Sequence, residues 1–151
     1  MEPLSDSLRG SADLYCGKRV TGTLAGYSTG TKIFTIVYID QNYIYLASDN
    51  IGNTIYPDNT GFLGWTVSFA ANTICAGQPS KSVSGTWPTL SEAMDYIGTM
   101  LTFDFWTQTR ESSSSYYWYS FERNGDSTAR YRTLENDNSC GVVCLCKVPR
   151  N

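Results

Sequence analysis

The most continuous apolar run in the first half of the chain is KIFTIVYID, Lys32 to Asp40. β-Branched and aromatic residues dominate it, and polar alternation is nearly absent, so it predicts a strand buried on both faces. Gln41 and Asn42 then turn the chain into YIYLAS, making 32–48 a β-hairpin. KRVTGTLAG, Lys18 to Gly26, predicts a shorter strand ahead of it. In YYWYSFERNGDSTARYRTL the pattern alternates: Tyr117, Tyr119 and Phe121 share one face, Tyr116, Trp118, Ser120 and Glu122 the other. Asn124-Gly125 marks a second hairpin, because both central positions of a type I′ turn need positive φ. CGVVCLCKVP, Cys140 to Pro149, is apolar enough to close the chain as a central strand.

A period of 3.6 shows clearly in one place, WPTLSEAMDYIGTML, Trp87 to Leu101. Thr89 and Glu92 make a capping box, and Leu90, Met94, Ile97 and Leu101 form an apolar stripe at helical spacing. Gly98 weakens that helix by roughly 1 kcal/mol relative to Ala. From Asp49 to Thr86, Asn, Gly, Asp and Pro recur every few residues, which predicts a long irregular region anchored by Trp65 and Phe69. One helix among short antiparallel strands gives an α+β class. Residues 1–12, with Pro3 and alternating Ser and charge, read as an N-terminal arm that orders against a partner. Residues 13–151 are enough for a single domain.

Composition narrows the function. Charged residues are 17% and aromatics 14%, with eleven Tyr and four Trp, a balance suited to recognition through rigid aromatic area. A net charge of −3 with no basic tract removes the electrostatic footprint of nucleic-acid binding. The chain has no His, so the commonest general base and metal ligand are missing and no cofactor is implied. The five cysteines are an odd number, and Cys144 and Cys146 share one face of an apolar run. Reduced, buried thiols are the favoured reading, with Cys75–Cys140 and Cys16–Cys144 bridges both left open. No export signal is readable at the N-terminus, and no apolar run approaches the ~18 residues of a membrane span.

The order of these segments, from GTKIFTIVYID and GWTV to FWTQTRESSSSYYWYSFERNGD and GVVCLCKV, resembles the Lcl-type C-terminal domain family. Trp87-Pro88 matches that family's helix-opening segment, and Trp106-Thr107-Gln108-Thr109 loosely matches its W-[ST]-S-[ST] segment. The resemblance runs from about Gly30 to Val148 and departs at the last strand, which lacks the usual arginine. It implies a C-type-lectin-like fold and a binding role, as in bacterial adhesins, phage virion proteins and retroelement-diversified variable proteins. Carried onto this chain, the recognition face comprises Ser112, Ser113, Ser114, Ser115, Tyr116, Trp118, Tyr131 and Arg132. Flexible serines would supply hydrogen bonds and the aromatics rigid area.

Calcium-dependent sugar binding of the classical lectin kind is not expected, since Gly77–Ser80 (GQPS) lacks the acid and FWTQ lacks the Asn-Asp pair. The cysteine chemistry of the related formylglycine-generating enzymes needs accessible thiolates, and Cys140, Cys144 and Cys146 lie in an apolar setting. The expectation is a non-enzymatic recognition or assembly module, a bacteriophage virion protein serving as capsid decoration, head fibre or tail-tip adhesin. Its partners would be other virion proteins through the arm, a further copy of itself, or a host surface protein or glycan. A bacterial surface or secreted adhesin domain is the alternative.

Overall fold

A computed structural model describes residues 14–26, 30–54, 64–98, 100–110, 117–123, 127–133 and 140–150. At 53–54, 117, 123 and 127–133 the description is of the backbone alone. β1 (Arg19–Gly26), β2 (Gly30–Ile39) and β3 (Tyr43–Ser48) pair in antiparallel succession. The 32–48 hairpin forms as its pattern predicts, and Asp40 makes its turn. Asp40 Oδ1 accepts from the backbone N–H groups of Asn42 (2.8 Å) and Tyr43 (2.7 Å), a side-chain mimic of a backbone turn. The β2–β3 register shifts between Ile36 and Tyr38. Ordinary alternation sends Ile36 to one hydrophobic cluster and Val37 to the other, and the bulge then places Tyr38 opposite Tyr45.

The chain continues through β4 (Asn53–Thr54), β5 (Trp65–Phe69), β6 (Lys81–Thr86), a short helix α1 (Leu90–Glu92), β7 (Phe105–Arg110), β8 (Tyr117–Arg123), β9 (Ser127–Thr133), β10 (Cys140–Gly141) and β11 (Leu145–Pro149). Strands β1-β2-β3-β11-β6-β5 close into a six-stranded barrel, antiparallel at every pair. A second, five-stranded sheet runs β4-β10-β7-β8-β9, antiparallel except where β10 meets β7. The expected α+β, C-type-lectin-like fold is therefore overturned: the protein is mostly β, with a closed barrel and one short helix. The stretch 49–86, expected to be irregular, supplies β5 and β6 and so completes the barrel. Trp65, Val67 and Phe69 point inward at period two, so the two anchors expected there belong to a strand.

The barrel interior is packed side chain to side chain. Phe34 and Phe69 meet edge to face, ring centroids 5.4 Å apart. The pair needs Gly22 beneath it, because a Cβ there would lie 2.8 Å from Phe69 Cε1 and 3.0 Å from Phe34 Cε1. A second core lies outside the barrel wall. It joins Val37, Tyr45, Ala47 and Leu145 of the wall to Ala93, Ile97 and Leu101, and to Phe105 and Phe121 of the second sheet.

The helix predicted over Trp87–Leu101 is much shorter than its pattern suggests. The capping box is present, with Thr89 Oγ1 accepting from the Glu92 N–H (3.0 Å) and Glu92 Oε1 from the Thr89 N–H (2.9 Å). Ala93–Ile97 then widens into a π-helical turn, closed by the Gly98 N–H donating to Ala93 O (2.8 Å). The extra residue in the turn rotates the buried face. Ala93, Ile97 and Leu101 face the second core, whereas Met94, expected on the stripe, is 55% exposed. The C-terminal run is likewise two short strands, β10 and β11, joined by buried Val142–Cys144.

Gly85 shows how tightly β6 closes on its neighbour: a Cβ there would sit 2.3 Å from Cys144 Sγ and 3.1 Å from Val67 Cγ2. Gly85→Ala is expected to lose roughly 1–3 kcal/mol by overpacking. Combined with Cys144→Ala, the loss should be clearly smaller than the sum of the two single changes, since removing the sulfur relieves the clash. Urea denaturation of the four proteins measures this, and strict additivity would mean that Gly85 is required for another reason.

Candidate functional site

The register of the barrel wall assembles a row of outward side chains. Tyr38 of β2 lies opposite Tyr45 of β3, and Tyr45 lies opposite Lys147 of β11. Beyond them, Ser84 and Thr86 alternate outward from β6. Above this wall the capped turn brings down Glu92 and Tyr96. Tyr45, Ser84, Thr86, Glu92, Tyr96 and Lys147, with Leu145 and Cys146, line a cleft of about 190 Å³.

The tyrosines fix one another. Tyr96 stacks on Tyr45 (centroids 4.3 Å apart, 28° between planes) and touches Tyr38 at 4.8 Å, while Tyr38 meets Tyr45 edge on at 5.5 Å. Lys147 Nζ stands 4.3 Å from the Tyr43 ring centre and 6.0 Å from that of Tyr45, within the range of cation–π attraction. The Tyr45 hydroxyl donates to Asp40 Oδ2 at 3.3 Å. Burial above all, and then the hydrogen bond to Tyr96, pushes the Tyr45 phenol well above its ordinary range, so it stays a neutral donor. Hydrogen bonding from the Asn42 N–H holds Asp40 below the usual carboxylate range. Glu92 is fixed by its capping bond, which sets a carboxylate in the lining of the cleft. The cleft thus offers a cation with three donors, an anion that only accepts, several hydroxyls that do both, and an aromatic wall.

The thiols are not equipped for nucleophilic work. Burial pushes Cys144 and Cys146 well above the ordinary thiol value, so both are neutral at physiological pH. All five cysteines are thiols outside any disulfide, with Cys16 exposed and Cys75, Cys140, Cys144 and Cys146 buried; neither bridge left open by the sequence forms. Among the described residues, no three Cys, Asp or Glu side chains gather where a metal ion could be held, and no helix is long and apolar enough to cross a membrane.

The recognition face expected from the sequence lies elsewhere. Ser112, Ser113, Ser114, Ser115 and Tyr116 fall outside the described residues, as does the arm 1–12. Tyr131 and Arg132 lie on β9, opposite Tyr119 and Trp118 in register, and their side chains are outside the description. Trp118 was expected to stand exposed and is instead buried, with 5% exposure. It joins Trp87 and Trp106 in the barrel-side core, and the Arg110 guanidinium covers its ring at 4.5 Å from the centroid. Trp118 and Phe121 enter different cores, and both faces of β8 are covered: Ser120 and Glu122 beside Trp118 are buried, as is Phe121 opposite, while Tyr119 is half-buried. Trp106-Thr107-Gln108-Thr109 has a structural task. Thr109 Oγ1 accepts from the Leu90 N–H (2.8 Å), the Gln108 N–H donates to Pro88 O (2.8 Å), and Gln108 Nε2 donates to Trp87 O. This seats the segment that carries Glu92 and Tyr96.

Sequence reasoning missed the cleft. Its signals were a lone lysine in the apolar run CLCKVP, the period-two pair Tyr43 and Tyr45, and Tyr96 four residues after a glutamate taken only as a cap. No family model, no curated protein and no solved structure matches the chain.

Two outcomes follow from this geometry. Trp118→Ala should cost roughly 3–5 kcal/mol of folding stability, the range for large core aromatics; a variant with unchanged denaturation midpoint would return Trp118 to the surface. For the thiols, the unfolded state ionises near pH 9.0 while buried Cys144 and Cys146 ionise only at higher pH. Their contribution is therefore complete below pH 9.0 and is lost as pH rises above it. Thiol titration of the native protein should show one fast group, Cys16, and four slow ones. Stability should fall above that pH, and less steeply in a Cys144→Ala/Cys146→Ala variant. Five equally fast thiols would be inconsistent with this packing.

Proposed function

We propose that the protein is a non-enzymatic recognition module whose binding site is the tyrosine-walled cleft between β3, β11 and the capped turn. The observation that carries this is the mutual packing of Tyr38, Tyr45 and Tyr96 beside Lys147 and Glu92. Rings already stacked, on a closed barrel with a filled interior, lose little freedom when a partner binds. The charged groups are held likewise, one over an aromatic ring and the other in a helix cap. The recognition role expected from the sequence is kept, while its site moves from β8 and β9 to the barrel wall. The virion setting drew on a resemblance whose implied fold the barrel replaces, so the proposal rests on the cleft and holds for a virion or a cell surface alike.

The test compares fluorescently labelled wild-type protein and variants for saturable binding to intact bacterial cells. Lys147→Glu combined with Tyr96→Ala should weaken binding at least about tenfold, as loss of central interface residues commonly does. Thr23→Lys, on β1 across the barrel from β11, should change nothing. Equal binding by the cleft variant and wild type, with both folded by circular dichroism, would remove the cleft from recognition.

A further inference from the structure

We infer that the cleft binds a saccharide, taking one neutral pyranose ring at a time; the inference rests on the reading of the cleft as the recognition site. Size is the first ground. A volume of about 190 Å³ is below the ~300–1,000 Å³ typical of drug-sized ligands. At about 30 Å³ per water it holds roughly six waters, the space of a single substituted six-membered ring.

Chemistry is the second. Every sugar hydroxyl is both donor and acceptor, so a matching site needs both kinds of group at close spacing. Lys147 donates, Glu92 accepts, and Ser84, Thr86 and Tyr96 do either. Glu92 Oε1 already accepts the Thr89 N–H, which orients the carboxylate without using its remaining acceptor sites. The C–H surface of a pyranose has the half-buried Tyr96 ring to pack against, held in place by the buried Tyr45 beneath it. Charge is the third ground. One lysine and one glutamate cancel, so the cleft favours neither a polyanion nor a polycation, and Lys147 is partly satisfied by the Tyr43 ring. A free amino acid could place its ammonium at Glu92 and its carboxylate at Lys147, but would leave the hydroxyl-bearing wall of Ser84 and Thr86 unused.

The experiment is titration of isotope-labelled protein, followed by amide NMR shifts, with the methyl glycosides of glucose, galactose, mannose and N-acetylglucosamine, and with free glycine. An open site burying one ring should give a Kd on the order of millimolar. Expected are saturable shifts at Lys147, Tyr96 and Ser84 with at least one glycoside. Lys147→Gln should then weaken binding about tenfold, the scale of a lost charge-assisted hydrogen bond. Glu92→Gln keeps the capping geometry and should weaken binding by a smaller factor with unchanged Tm. Saturable shifts with glycine and none with any glycoside would overturn the saccharide. So would silence from every glycoside while cell binding still depends on Lys147 and Tyr96, an outcome that leaves the recognition reading standing. If cell binding is also indifferent to those residues, both fall.

Discussion

Between Cys140 and Cys146 the chain is buried on both sides at once, and the rest of the architecture depends on that double burial. Cys140, Val142, Cys144, Cys146 and Val148 belong to the core that fills the barrel; Val143 and Leu145 belong to the core outside it. One strand path therefore holds the barrel shut, between β3 and β6, and fastens the second sheet to it through β10. Such a path has no room for large side chains on its crowded face. Three of its five barrel-side positions are cysteines, small and apolar, and Gly85 opposite carries no side chain at all. The polar groups along it are also matched. The Ser48 hydroxyl, fully buried, accepts from the Cys144 N–H (2.9 Å), and Asn50 Oδ1 accepts from the Val142 N–H (3.1 Å). A buried backbone without those partners would carry a cost of roughly 1–3 kcal/mol per group.

The cleft is a consequence of where that double burial ends. The outward series Val143, Leu145, Lys147 runs from the second core to the surface within two turns of the pleat. Leu145 is the last residue that the second core covers, and it lines the cleft. Lys147 is the first that emerges, with its stem over tyrosines and its ammonium toward Tyr43. The π-helical turn sets the other wall. Its wider winding sends Ala93 and Ile97 into the core and leaves Tyr96 to stack on Tyr45.

Much of the local structure was legible in the sequence because it is dictated locally. Gln41-Asn42 and the apolar runs on either side define the first hairpin, Thr89 and Glu92 define a helix start, and alternation places Cys144 and Cys146 on one face. The parts that stayed hidden depend on distant partners. KSVSGT has little apolar content, and becomes a barrel strand because β5 and β11 pair with it. WTVSF alternates plainly, but its flanking Asn, Gly and Pro residues suggested a loop. The π-helical turn has no signature in the spacing of Leu90, Met94 and Ile97. Trp118 was misplaced for a related reason. Period two sets Trp118 and Phe121 on opposite faces, yet cannot say that both faces of β8 are covered, one of them by Trp87, Trp106 and Arg110.

The same closure shapes the surface that the barrel wall presents. The closed barrel has no free edge to extend by strand pairing; the open edges are β4 and β9 of the second sheet. Its interior is filled by Phe34, Phe69 and their neighbours, so it offers no cavity of the kind that larger barrels lend to ligands. On the barrel's outer wall, the second core covers part of the surface through Ala47 and Leu145. Along the wall, the β1 and β5 side presents small polar side chains such as Thr21, Thr23, Thr66 and Ser68, each exposed and none able to anchor much area. The β2, β3 and β11 side presents Tyr38, Tyr45 and Lys147 under Tyr96. Aromatic rings, a cation and a carboxylate coincide there, at the margin of the second core, where Tyr45 is buried and Lys147 emerges.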